Sequence, residues 1–142
     1  MKVLSLHQPW ASLVVMNAKQ YEVRRWQTKY RGPLLIHASS RKLTRREKVL
    51  WEEDDYFRAF IKNTDFLPYG CIIGQVHLLH IYPTGWLIRN LERDPLVNWQ
   101  QELTFDDYTP GRYAWKLGHA QQLSRFLPVK GSLGLWEYNG SL

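Results

Sequence analysis

From Cys71 to Tyr82 the chain is one run of apolar and β-branched residues, Cys-Ile-Ile-Gly-Gln-Val-His-Leu-Leu-His-Ile-Tyr, closed by Pro83. Such a run reads as a long strand, and it ends where proline withholds the N–H that a ladder needs. Gly74 inside it marks a bend or a close backbone approach. Shorter strand signals stand on either side. Val3–Leu6 is stopped by His7-Gln8-Pro9. Tyr21–Trp26 alternates, with Tyr21, Val23 and Arg25 on one face and Glu22, Arg24 and Trp26 on the other. Leu34–Ala38 is almost continuously apolar and reads as a central strand. Tyr113–Leu117 and Gly134–Tyr138 are late strands.

Few helices interrupt this pattern. Pro9 suits the first turn of one, and Trp10, Leu13, Val14 and Ala18 form its apolar stripe, with Asn17 near its end. Thr44 and Glu47 have capping-box spacing and open a helical region reaching about Lys62. Leu50, Phe57, Phe60 and Ile61 share its apolar face, and the acidic run Glu52–Asp55 divides it. A short helix is expected over Leu96–Glu102. Strands interleaved with so few helices predict an α+β chain built on a mixed sheet or barrel, not a doubly wound one. The length, 142 residues, fits a single domain over 1–142.

Neither the N-terminus nor any apolar run has the length of a signal peptide or membrane span, so an intracellular protein, cytoplasmic or nuclear, is expected. The lone cysteine, Cys71, leaves no disulfide framework and no multi-cysteine metal site. His77 and His80 sit in a strand, where residues three apart face opposite sides, so no metal and no cofactor is expected. There is no nucleophile elbow and no phosphate-binding glycine loop before a helix.

Charge is the more informative signal. Ten of the 19 basic residues fall between Lys19 and Lys48, against two acidic ones, a local net of +8; the rest of the chain is slightly acidic at −2. This asymmetry points to a polyanion, nucleic acid first, although a solvated basic surface has the same composition. Lys19, Glu22 and Arg24 gather at the start of the alternating strand. A carboxylate between two cations could accept a base's amino group, while Trp26 on the same face could stack on the base. The same three residues could equally be a surface ion-pair ladder, and the residues alone leave both open.

The motif order adds a resemblance. Leu4-Ser5-Leu6-His7-Gln8-Pro9-Trp10-Ala11-Ser12-Leu13-Val14 is similar to the opening of the ASCH domain, and Asn17-Ala18-Lys19-Gln20-Tyr21-Glu22-Val23-Arg24 to that family's Gly-x-Lys-x-x-Glu-x-Arg motif. Tyr30–Ala38, Tyr69–Val76, Pro128-Val129-Lys130-Gly131 and Trp136 resemble its later segments. The cointegrator type of the domain is the nearest likeness. Asn17 replaces the motif's first glycine, and Asn tolerates left-handed backbone better than most residues.

The resemblance implies a PUA-like mixed β-barrel with flanking helices and a nucleic-acid-binding cleft. Lys19, Glu22 and Arg24 carry over from the motif, and the expected contacts, with the basic segment included, are Gln8, Lys19, Glu22, Arg24, Trp26, Lys29, Arg31, Arg41 and Lys42. The expected partner is RNA or DNA, as a single strand or duplex end, or a small nucleoside, bound by a monomer away from membranes. The alternative it implies is an enzyme, an acetylcytidine amidohydrolase or a ribonuclease, acting through Lys19. In those amidohydrolases a Thr nucleophile stands where this chain has Glu22, and a carboxylate does not replace that hydroxyl. A protein-interaction domain is the third class.

Overall fold

The computed structural model describes residues 1–142. Its strands are β1 (Lys2–Leu6), β2 (Tyr21–Arg24), β3 (Gly32–Ala38), β4 (Cys71–Pro83), β5 (Tyr113–Pro128) and β6 (Leu135–Glu137). Its helices are α1 (Trp10–Val15), α2 (Arg45–Glu52), α3 (Asp55–Arg58), α4 (Thr84–Leu87) and α5 (Trp99–Phe105), with 3₁₀ turns at Thr64–Phe66 and Leu91–Arg93. The strands form one mixed sheet in the order β2-β5-β4-β3-β1-β6, curled into a half-barrel. The β1–β3 pair is parallel and every other pair is antiparallel. This is the expected α+β, PUA-like architecture, with β3 inside the sheet as its apolar sequence requires.

The main core lies between the sheet and α1, where Leu4, Leu6, Leu34, Ile36, Ile73 and Trp115 meet Ala11, Val14 and Val15. Burial of these side chains from water is the chief force holding the helix on the sheet. The opposite face of β1, β3 and β4 carries a smaller cluster, Val3, Leu35 and Ile72, covered by Trp136, Leu127 and Val129. Gly74 is where α1 comes closest. A Cβ there would collide with the Val15 side chain and sit 2.8 Å from the Gln121 carbonyl oxygen.

Local signals account for the helix ends. The Thr44 hydroxyl accepts from the Glu47 N–H (3.1 Å) and the Glu47 carboxylate accepts from the Thr44 N–H (2.9 Å), a complete capping box. The acidic run does divide the region, because Asp54 caps α3 by accepting from the Phe57 N–H at 2.9 Å. Asn17 follows α1 with φ of 61°, the left-handed turn that its motif position needs.

Four expectations change. Leu50 points to solvent, and Trp51 packs on Phe57 in its place. The helix expected over Leu96–Glu102 starts at Trp99, because the Asn98 side chain caps it, accepting from the Gln101 N–H at 3.1 Å. β5 runs eleven residues beyond Leu117, to Pro128. Its second half keeps Gln121, Gln122, Ser124 and Arg125 in solvent, so no apolar alternation announces it. Finally, β2 ends at Arg24, two residues before Trp26, whose ring packs edge-on against Trp115, the register partner of Glu22, with ring centroids 4.9 Å apart.

Gly74→Ala is expected to lower stability by about 1–3 kcal/mol, the usual cost of overpacking a filled contact. A shifted urea midpoint with an unchanged slope would show it; an unchanged midpoint would place α1 farther from β4.

Candidate nucleic-acid interface

β2 is an edge strand, and its outward backbone groups need partners. Its inner edge pairs with β5 in the register Glu22–Trp115 and Val23–Ala114. On the outer edge, side chains from α5 and the residue after it replace a neighbouring strand. The Glu102 carboxylate accepts from the N–H groups of Gln20 (2.9 Å) and Tyr21 (3.1 Å). The Asp106 carboxylate accepts from the Val23 N–H at 2.9 Å. The Lys19 ammonium donates to the Tyr21 carbonyl oxygen.

Lys19 has two further partners, Glu22 Oε1 at 2.9 Å and Asp106 Oδ2 at 2.7 Å, and its side chain is 0% exposed. Burial by itself pushes the ammonium's pKa down, but the carboxylates of Glu22 and Asp106 outweigh that and the net direction is up. Lys19 is therefore a charged, fully partnered group behind the cleft wall. It offers no surface to a ligand and no lone pair to a reaction.

Glu102 is the opposite case. Burial among Tyr21, Tyr108 and α5 raises its carboxyl to about 7, against the lowering effect of the two backbone donors and Lys19. A buried carboxylic acid that holds its proton more tightly when folded stabilises the fold at low pH. That stabilisation is full below the ordinary value of 4.5 and is lost as pH rises through about 7.

Of the motif, Glu22 and Arg24 line the cleft, and Arg24 is the more exposed. Its Nη2 donates to the Ser5 carbonyl oxygen at 2.9 Å, and its Nε stands 3.1 Å from Glu22 Oε2, an ion-pair contact outside hydrogen-bond alignment. It forms the boundary between two joined recesses. The smaller, about 210 Å³, is walled by His7, Trp10, Glu22, Arg24 and Asp106, with Leu6 and Val23 at its floor. The larger, about 850 Å³, runs past Ser5, His37 and Ser39 to the Pro128–Gly134 segment and includes Lys130. His7 belongs to both, and its Nδ1 is 2.7 Å from Ser39 Oγ. Burial, then the nearby Arg41 and Arg24, push the His7 imidazole's pKa down, so it is neutral at pH 7.

The other expected contact residues are placed as follows. Gln8 is fully buried; its amide donates to Ser12 Oγ (2.8 Å) and the Pro68 carbonyl oxygen (2.9 Å) and fastens α1 to the loop before β4. Trp26 packs on Trp115 outside both recesses. Lys29, Arg31 and Lys42 are exposed and line neither recess; Arg31 donates to the carbonyl oxygens of Thr28 and Tyr30, both at 2.8 Å. Arg41 pairs with Glu47 at 2.9 Å.

The aromatic side chain in the cleft is Trp10, whose indole N–H donates to the Phe105 carbonyl oxygen while the ring packs edge-on against Trp51. Its place at the head of the apolar stripe had marked it as core. Asp106 carries no local signal, since its partner Lys19 is 87 residues away.

Removing the Lys19 charge strands Glu22 and Asp106. Lys19→Met is expected to cost about 3–5 kcal/mol, the usual penalty for breaking a buried ion pair. Chemical denaturation checks it, and a loss below about 1 kcal/mol, the value of an exposed pair, would contradict the burial. The Glu102 carboxyl is expected to titrate near 7 by carbon-13 NMR, and Glu102→Gln to flatten the pH dependence of stability between 4.5 and about 7. A midpoint at the ordinary value would contradict the assignment.

Comparison with known proteins agrees with the geometry. The ASCH domain family model matches residues 4–123. Activating signal cointegrator 1 from Homo sapiens is 28% identical over 142 residues, covering 98% of this chain and 22% of that protein. The Mus musculus protein of the same name is 28% identical over 145 residues, again with 98% and 22% coverage. The chain thus spans about a fifth of the length of these relatives. Among solved structures, ASCH from Zymomonas mobilis superposes with a TM-score of 0.51 at 21% identity, covering 89% of this chain and 72% of that one. A point mutant of that protein matches with the same score and identity and 74% coverage of its chain. With the motif segments in order and the family model spanning most of the sequence, the chain belongs to the ASCH domain family.

Proposed function

We infer that this chain is a nucleic-acid-binding module that holds an unstacked base in the smaller recess and backbone phosphates along the larger one. The observation that carries this reading is the meeting of the Trp10 ring and the Arg24 guanidinium at one opening. An indole face supplies stacking that tolerates any base, worth about 1–3 kcal/mol, and a guanidinium beside it supplies a fixed fork of donors.

Electrostatics supports a division of labour. In the inner recess the charges of Lys19 and Arg24 balance those of Glu22 and Asp106, with His7 neutral. A neutral, polar pocket suits a base. Cations without an ion-pair partner lie outside it, among them Arg25, Lys29, Arg31, Lys42, Arg45 and Arg46 from the basic segment and Lys130 across the larger recess. Phosphates are neutralised by such cations, and the counterions released from the nucleic acid favour binding at low salt. No helix is long and apolar enough to cross a membrane.

The enzymatic alternative through Lys19 has less support. A base needs a free lone pair, and this ammonium is raised in pKa and donates to three acceptors.

Titration of fluorescent single-stranded RNA, single-stranded DNA and duplex DNA against the full chain across salt concentrations tests the reading. Log affinity is expected to fall linearly with log salt, with a slope near −0.7 per neutralised phosphate on single strands. Trp10→Ala is expected to weaken single-strand binding by about 10-fold or more, the loss of one stacked base. Arg24→Ala should weaken it as well, and Trp26→Ala, in variants that remain folded, should not weaken it comparably. Absent binding at low salt, or equal effects of the two tryptophan variants, would overturn the assignment.

A further inference from the structure

A second piece of chemistry lies at the floor of the larger recess. Ser5 of β1 and His37 of β3 are register partners in the parallel pair, and Ser5 Oγ is 2.9 Å from His37 Nδ1. The other ring nitrogen, Nε2, is 2.8 Å from the Val129 carbonyl oxygen. A carbonyl only accepts, so Nε2 carries the proton and Nδ1 of the neutral ring is an acceptor. The Trp136 indole N–H donates to Ser5 Oγ at 3.1 Å. The Ser5 hydroxyl therefore has its role fixed from both sides: it accepts from the indole and gives its own hydrogen to His37. A hydroxyl hydrogen-bonded to an oriented imidazole is the arrangement that activates a serine.

The segment above the pair supplies a second requirement. Gly131 lies directly over it, since a Cβ there would be 2.6 Å from His37 Cε1 and 2.7 Å from Ser5 Oγ. No side chain can stand at that position. The backbone N–H groups of Lys130, Gly131 and Ser132 have no partner within the protein and border the same recess. Unpaired N–H groups beside a nucleophile are what an oxyanion needs. Ser5 is half-buried and faces this opening, with Arg24 and Lys130 among the lining residues.

We propose that Ser5 is a nucleophile activated by His37, and that the larger recess carries out acyl transfer from esters whose alcohol part is anionic. The Ser5 oxygen attacks the ester carbonyl carbon as its proton passes to His37 Nδ1. The carbonyl electron pair moves onto the oxygen, held by the N–H groups around Gly131. The carbon–alkoxide bond then breaks, and His37 returns the proton to the leaving alcohol. Water repeats the sequence on the acyl-serine, releasing the carboxylic acid and restoring Ser5. The Val129 carbonyl holds the imidazolium that forms transiently, the orienting role that a carboxylate has in the better-known triads. Arg24 and Lys130 favour an alcohol bearing a phosphate. None of these steps uses Lys19 or requires nucleic-acid binding.

The test uses the full chain and diisopropyl fluorophosphate, which transfers its phosphoryl group to an activated serine with loss of fluoride. Peptide mass spectrometry is expected to find the adduct on Ser5 in the folded protein. Its rate should exceed that at Ser132 or in the urea-unfolded chain by about 100-fold or more, the usual effect of a positioned base. Because both comparisons are made on the unsubstituted protein, the result does not depend on whether a variant folds. Ser5→Ala, with its thermal melt recorded, should carry no adduct. A second arm compares acetate release from 4-acetoxyphenyl phosphate and phenyl acetate, and the phosphorylated ester should be the faster. Absence of a Ser5 adduct, or labelling no faster than in the unfolded chain, would overturn the nucleophile. Equal hydrolysis of the two esters would overturn the anionic substrate class. Loss of RNA binding in the salt titration would leave all of these outcomes unchanged, so the two readings fail separately.

Discussion

The buried Lys19 ammonium is the interaction on which the cleft depends. It satisfies the outward carbonyl of an edge strand and neutralises two carboxylates that otherwise could not lie together. One of those carboxylates, Asp106, holds the next outward N–H of the same strand. The other, Glu22, faces Arg24. A single cation thus closes the edge of β2, fixes the end of α5 against it and sets the Glu22–Arg24 side of the recess. The desolvation cost of such a cluster is high, and it is offset only because nearly every donor and acceptor is matched.

This arrangement gives the motif a different meaning from the one its residue types imply. Three charged side chains in a short segment look like a ligand-binding set. In the fold they divide into a buried structural cation, a bridging carboxylate and one partly exposed guanidinium. The excess positive charge is likewise sorted by depth. The inner recess is balanced, while the unpaired cations of the basic segment are exposed and line neither recess.

Much of the framework was legible in the sequence because its signals are local. The alternation in β2, the continuous apolar run of β3 and the Thr44–Glu47 box all depend on neighbours in the chain or on backbone chemistry. The site was less legible because its parts meet only in three dimensions. Asp106 and Glu102 lie more than 80 residues from the groups they satisfy. Trp10 shares its helix stripe with Leu13 and Val14, and periodicity does not distinguish the stripe's end, which opens on the cleft, from its buried middle. Trp26 follows the end of β2 and packs on Trp115, so it lines neither recess. The pairing of Ser5 with His37 follows from parallel register between β1 and β3, which neither strand's own sequence specifies.

The central claim, that Lys19 is an internal structural cation and not a ligand contact, is tested most directly by reductive methylation of the native chain with mass-spectrometric mapping. The account predicts that Lys19 remains unmodified while Lys29, Lys42 and Lys130 react, and that it becomes reactive only when the protein unfolds. Methylation of Lys19 in the folded protein at the rate of those exposed lysines would contradict it.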